Sequence, residues 1–214
     1  MRIDVWSDVV CPWCYLGKRR LEVALEGLDF ADEVEVRWRA FQLDPTAIAA
    51  PKDLATAIDR KYGPGAFEGM TGRLVPLGRE VGIDYRFDLA QRVTSLPALS
   101  LVAWVEATLG PEAADRLHDR LFRAYFTEGA NIADAGNLAD WAEEVGADRE
   151  LAVEAVATGT GRDAVASDLE GAADRQLTGV PAFVIDDAFV IPGAQDVDTI
   201  RNLLTRAQQR RASG

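Results

Sequence analysis

Cys11-Pro12-Trp13-Cys14 is the stretch on which the reading of this chain turns, and it holds the only two cysteines in 214 residues. An apolar run, Ile3-Asp4-Val5-Trp6, precedes it. A helical pattern follows, with Gly17, Leu21, Ala24, Leu25 and Leu28 recurring on one face. Residues 2–7 therefore read as a buried first strand, and the cysteines sit where that strand hands over to a helix. Pro12 suits the first helical turn, because it has no N–H to leave unpaired. A cysteine at a helix start meets unpaired N–H groups and the positive end of the helix dipole. Both favour a thiolate, the reactive form in disulfide exchange. Two cysteines separated by two residues at that place point to a redox-active dithiol.

The length fits one domain, or one domain carrying a large insertion. With 48% hydrophobic and 27% charged residues, the chain can bury a sizeable core. A formal net charge of −12 argues against nucleic acid or an anionic membrane as partner and fits plain solubility. Met1-Arg2-Ile3-Asp4-Val5 shows no basic segment followed by a long apolar one, so no secretory signal is expected. No window approaches the ~18 apolar residues of a membrane-spanning helix. A cytoplasmic location is the expectation, and in a reducing compartment paired cysteines serve catalysis or redox sensing rather than stapling.

Glu33-Val34-Glu35-Val36-Arg37-Trp38 alternates strictly and reads as a second strand with one wet face, ended by Pro45. Lys18-Arg19-Arg20 reads as a solvated helix face. Residues 46–176 are helical in pattern. Leu54, Ala57 and Ile58 lead a helix that stops near Tyr62-Gly63-Pro64-Gly65. Phe67 to Val81 contains Gly69, Gly72 and Pro76 and is expected to bend or break. Ser95 is placed to cap a helix with Pro97 in its first turn, and Pro111 starts the next. Three more helices carry Leu138 to Val145, Leu151 to Val156 and Arg162 to Leu177. Trp104, Tyr125, Phe126 and Trp141 read as mostly core. Two apolar runs, 182–185 and 188–191, flank Asp186-Asp187 as a β-hairpin. A last helix follows, with a tail from Arg210 to Gly214 expected to fray. The order is strand, helix, strand, helical block, hairpin, helix. It describes an α/β thioredoxin-like fold with a large all-helical insertion between the second strand and the C-terminal hairpin. Residues 1–45 and 177–214 form the discontinuous α/β domain, and 46–176 the insertion.

Gly179-Val180-Pro181-Ala182-Phe183 is the second strong signal. Proline before a strand often only marks strand entry. With a dithiol upstream it reads as a cis-proline loop facing the cysteines. The Val180 backbone is then free to pair with an extended substrate segment.

Four stretches carry a family resemblance: 7–14 (Ser7-Asp8-Val9-Val10-Cys11-Pro12-Trp13-Cys14), 38–45, 121–126 and 178–183. On these the chain resembles the DsbA family of thioredoxin-fold oxidoreductases. It looks closest to a cytosolic FrnE-like branch related to 2-hydroxychromene-2-carboxylate isomerases and kappa-class glutathione transferases. The resemblance implies thiol–disulfide exchange with protein thiols and disulfides. Cys11, exposed at the helix start, forms a mixed disulfide, and the more buried Cys14 resolves it. The isomerase and transferase relatives carry serine at the position of Cys11, so cysteine there points to dithiol chemistry. Glutathione stays open as a co-substrate; no other cofactor is implied. A glutathione-dependent small-molecule isomerase and a non-catalytic chaperone-like module are the alternatives. The periplasmic relatives have histidine where Trp13 stands. Its loss removes a donor to the Cys11 thiolate and implies a less oxidising couple than ~−120 mV. Asp8 takes a proton from the resolving thiol or caps local backbone groups, and both readings stay open. His118, the only histidine, reads as a packing or surface residue. Two cysteines and one distant histidine imply no metal site.

Overall fold

Strand β1 (Arg2–Ser7) is buried over five of its six residues, so it lies inside the sheet. In a computed structural model of the chain, describing residues 1–213, it has neighbours on both sides. β2 (Glu35–Ala40) runs parallel to it, with Val5 opposite Trp38. β5 (Ala182–Ile185) runs antiparallel, with Val5 opposite Phe183. β6 (Phe189–Pro192) pairs with β5, giving the order β2-β1-β5-β6. The hairpin turn places Asp186 and Asp187 at φ 45° and 59°, the left-handed pair that matches the strand twist.

Alternation along β1 sends Ile3 and Val5 to one face and Trp6 to the other. Helices α1 (Pro12–Glu26) and α9 (Val197–Ser213) cover the first face, burying Leu21, Trp38, Phe183, Ile200 and Leu204 with Ile3 and Val5. On the second face Trp6 and Val184 pack on Ala172 of α8 (Arg162–Asp174).

Between β2 and α8 run α2 (Leu54–Tyr62), α3 (Ala66–Glu80), α4 (Leu96–Leu109), α5 (Pro111–Phe126), α6 (Ala135–Glu144) and α7 (Arg149–Thr158). They enclose the largest core, where Leu99, Leu117, Phe122 and Trp141 join Cys11, Cys14, Tyr15 and Leu16 of the motif. The dithiol is therefore walled on one side by the α/β layer and on the other by helices. Tyr125, Phe126 and Trp141 are buried as expected, while Trp104 is only half-buried.

Several expectations are corrected. β2 starts at Glu35, because a 3-10 turn at Ala31–Glu33 takes up the beginning of the alternating stretch. α3 is continuous through Gly69, Gly72 and Pro76. Pro76 and Gly72 are on the wet side, where the carbonyl freed by proline meets water. The opposite side is pinned by buried Leu74 and by Gly78, against which the Tyr85 ring packs. Packing overrides propensity there. Lys18 is not solvated: it is 2% exposed, bonded to Asp115 and Glu22, and lies 5.0 Å over the Trp38 ring. α9 continues to Ser213, with Arg210 and Arg211 in the last turn complementing the helix dipole; Gly214 lies outside the described residues. A two-residue ladder, β3 (Lys52–Asp53) with β4 (Gln91–Arg92), was not expected, since so short and polar a pairing has no periodicity.

Gly17 is where α1 meets the 179–183 stretch. A Cβ there would stand 2.9 Å from Pro181 Cγ and 3.2 Å from Phe183 Cζ. Gly17→Ala is expected to destabilise the fold by roughly 1–3 kcal/mol through overpacking, despite alanine's better helix propensity. Urea unfolding checks it; a variant as stable as the wild type would show that the loop moves aside freely.

Candidate active site

β1 ends at Ser7, and Asp8-Val9-Val10 turn the chain into α1. The Cys11 N–H donates to the Asp8 carbonyl at 2.9 Å. Cys11 is the N-cap residue, and its carbonyl accepts from Cys14 N–H at 3.0 Å and Tyr15 N–H at 3.2 Å. The Tyr85 hydroxyl donates to the Pro12 carbonyl at 2.6 Å. Tyr15 stacks on Phe122 with centroids 4.9 Å apart. The helix start is thus held from inside by α5 and from the side by the segment after α3.

Cys11 and Cys14 stand 3.2 Å apart as free thiols. Cys11 is only 3% exposed, which corrects the expectation of an exposed thiol. The cause is packing: Val180 and half-buried Trp13 lie against the same core. The Cys11 Sγ faces the Val180 carbonyl at 3.7 Å. The Val180–Pro181 bond is cis, as the sequence pairing implies, and the Pro181 carbonyl accepts from Gly193 N–H at 2.8 Å. Gly179 is exposed on the rim of a 480 Å³ groove that continues from Val180 to β6. A second groove, 220 Å³, opens beside Val10 and Pro12, with Ile58, Tyr62 and Met70 as apolar wall and Lys61 and Arg92 as cations.

Two buried groups set the electrostatics. Burial pushes the Cys14 thiol well above its ordinary pKa, and nearby Cys11 adds to the rise. Hydrogen bonds from the Ser7 hydroxyl and the Asp8 backbone oppose it. Asp8 is wholly buried. Its carboxylate accepts from Leu43 N–H at 2.8 Å and Val10 N–H at 3.3 Å, and also from the Ser95 hydroxyl. Burial nevertheless raises its pKa to about 6, the hydrogen bonds recovering only part of the desolvation cost. Ser95 occupies the N-cap of α4, yet its side chain caps nothing there; it has turned to Asp8.

The structure thus gathers Asp8, Cys11, Pro12, Trp13 and Cys14 in one turn and sets Val180 and Pro181 across from them. Sequence reasoning did not place Ser7, Tyr85, Ser95 or His118 here. Ser7 at the end of a buried strand is the one legible signal, since a buried hydroxyl needs a partner. The others arrive through tertiary packing.

Residues 2–205 match the model of the DSBA-like thioredoxin domain. The chain belongs to the DsbA-like thioredoxin family. It is 30% identical over 215 residues to the Bacillus subtilis protein YwbO, covering 99% of each. It superposes on the crystal structure of the probable DsbA oxidoreductase of Streptomyces coelicolor with a TM-score of 0.89 at 31% identity. That match covers 98% of this chain and 90% of the other. Cytosolic disulfide reductase DsbM from Pseudomonas aeruginosa, also solved with glutathione, shares the fold alone. Its TM-score is 0.70 at 19% identity, covering 98% of this chain and 99% of DsbM. The DsbA-like fold accounts for the sheet and the helical block packed against it.

Asp8 gives this DsbA-like site a pH dependence. Above the usual value of 3.8 the unfolded chain's Asp8 is ionised, whereas the folded carboxyl keeps its proton up to about 6. The folded state binds the extra proton in that window, so this contribution to stability falls as pH rises through it, by about 3 kcal/mol in all. The difference in unfolding free energy between wild type and Asp8→Asn, in which other groups cancel, should shift in the variant's favour over that window. A difference that stays flat across it would contradict the assignment.

Proposed function

We propose that the chain is a thiol–disulfide oxidoreductase of protein substrates, working through Cys11 and Cys14. The observation that carries this reading is the pair itself. Two free thiols stand 3.2 Å apart at a helix start, with Cys11 turned to the Val180 backbone. The Cys11 thiolate attacks a substrate disulfide, a mixed disulfide forms, and Cys14 displaces the second substrate thiol. The reverse sequence oxidises a substrate dithiol. Gly179, Val180 and Pro181 receive the extended substrate segment, with the 480 Å³ groove beside them as its bed. Pro12 starts the helix and Trp13 covers the pair. The hydrogen bonds on the Asp8 carboxylate favour the backbone-holding role for this residue over that of proton acceptor.

Glutathione fits as the small co-substrate. The groove beside Pro12 offers an apolar wall with Lys61 as a cation for a carboxylate, while Arg92 there is paired with Asp44 at 2.6 Å. DsbM, a member of the same fold, has been solved with glutathione. A cytoplasmic setting is proposed with it, by likeness to the cytosolic disulfide reductase DsbM. Separately, none of the described helices is long and apolar enough to cross a membrane.

The chain is expected to accelerate the reduction of insulin by dithiothreitol, and Cys11→Ser to abolish the acceleration. Equal rates with the two proteins would sink the proposal. Cys14→Ala is expected to accumulate a mixed disulfide at Cys11 after exposure to oxidised glutathione, read by intact-protein mass. An unmodified Cys14→Ala protein would remove glutathione from the scheme.

A further inference from the structure

The backbone on the C-terminal side of Val180 is already engaged. Ala182 sits in the β5 ladder, opposite Trp6 and Pro192. The Pro181 carbonyl accepts from Gly193 N–H at 2.8 Å, and the Pro181 nitrogen carries no hydrogen. The Val180 carbonyl lies outside the ladder. Among the described residues its one donor is the Cys11 thiol, with Sγ at 3.7 Å. A backbone carbonyl on a half-buried residue needs a partner, and a thiol is a weak one. Nothing else at the helix start competes for it. The Cys11 N–H serves the Asp8 carbonyl, and Pro12 has no N–H. Val180 also lines the 480 Å³ groove, whose one charged side chain, Arg175, is paired with Asp187 at 2.6 Å. What the groove offers is apolar surface from Leu177, Val190 and Pro192 beside unpaired backbone, the chemistry that receives an extended polypeptide of varied sequence.

We propose that the reduced Cys11 thiol is a plug: its S–H occupies the Val180 carbonyl that an extended substrate segment needs, so the oxidised protein is the form that captures polypeptide. The inference rests on the dithiol chemistry and on the reading of residues 179–181 as substrate bed. When the dithiol reduces a substrate disulfide, two electrons and two protons pass to the substrate sulfurs. The substrate S–S bond breaks as the Cys11–Cys14 bond forms. The Cys11 sulfur then carries no hydrogen, and the Val180 carbonyl is left without its donor. An N–H of a polypeptide segment can take the vacated position.

The reverse exchange starts from the oxidised protein and a substrate dithiol. It returns a proton to the Cys11 sulfur, and the thiol competes with the product for the same carbonyl. Capture and release are thereby tied to the hydrogen on one sulfur. By linkage, a bound segment must favour the disulfide form by the same factor by which the disulfide form favours the segment.

The test uses the whole protein and a fluorescent insulin B-chain peptide carrying serine for cysteine, which can bind but cannot exchange. Its anisotropy is read with oxidised and with fully reduced protein. The oxidised form is expected to bind roughly fivefold more tightly, the worth of about one hydrogen bond. Two variants held in reductant separate the thiol from any other effect of the disulfide. Cys11→Ala has no S–H and is expected to bind as tightly as oxidised wild type. Cys14→Ala keeps the Cys11 thiol, cannot form the disulfide, and is expected to bind as weakly as reduced wild type. Equal affinity of the two wild-type forms would overturn the plug while leaving the substrate bed in place, whether or not the variants fold. Weak binding by folded Cys11→Ala would also overturn it. Absence of binding to every form would overturn the bed itself, and the plug with it.

Discussion

Everything around the dithiol depends on a carboxylate that water never reaches. Asp8 holds its own turn through Val10, the segment after β2 through Leu43, and the start of α4 through Ser95. Three parts of the chain distant in sequence are thereby tied together directly behind Cys11 and Cys14. The arrangement is expensive, since burying an ionisable group costs several kcal/mol unless hydrogen bonds replace its water. The raised pKa shows that replacement is incomplete. A carboxylate is the group suited to this place, because it accepts at both oxygens where the converging groups are donors.

Much of this fold is legible in the sequence because the relevant signals are local. A strand too apolar to be wet, a proline just inside a helix, and two acidic residues between apolar runs each act within a few residues. β1, α1 and the hairpin accordingly fall where their residues place them. The readings that fail involve partners far along the chain. Pro76 does not break α3, because Leu74 and Gly78 pin the other side of that helix. Lys18 belongs to an ion pair with Asp115, 97 residues away. Ser95 is read as a cap because caps are local, and it serves Asp8 instead. The dithiol and its proline loop could be seen beforehand because cysteine and proline carry their chemistry with them. Ser7 and His118 could not, since a serine or a histidine gains meaning only from what lies next to it.

The same burial moves the pKa values of two groups behind the motif in opposite directions. It disfavours the Cys14 thiolate, and it disfavours the charged imidazole of His118. Both shifts favour the neutral form, and His118 keeps Nε2 3.2 Å from the Ser7 hydroxyl. The interior around Cys14 thus resists separated charge.

The sheet has two edges, and they are finished differently. Along β2 the Ala40 N–H is taken by the Asp168 carboxylate at 2.8 Å, with helices packed over the strand. β6 is left at the surface with Val190 outermost, beside the groove that runs to Val180. It is only four residues long, ends in Pro192, which has no N–H, and has its last carbonyl engaged by Gln195 at 2.6 Å. So brief and interrupted an edge gives another copy of this chain little to template on, which guards against edge-to-edge aggregation. If extended substrate segments bind beside this strand, as proposed, they do so without the strand offering itself as the seed of a continuous sheet.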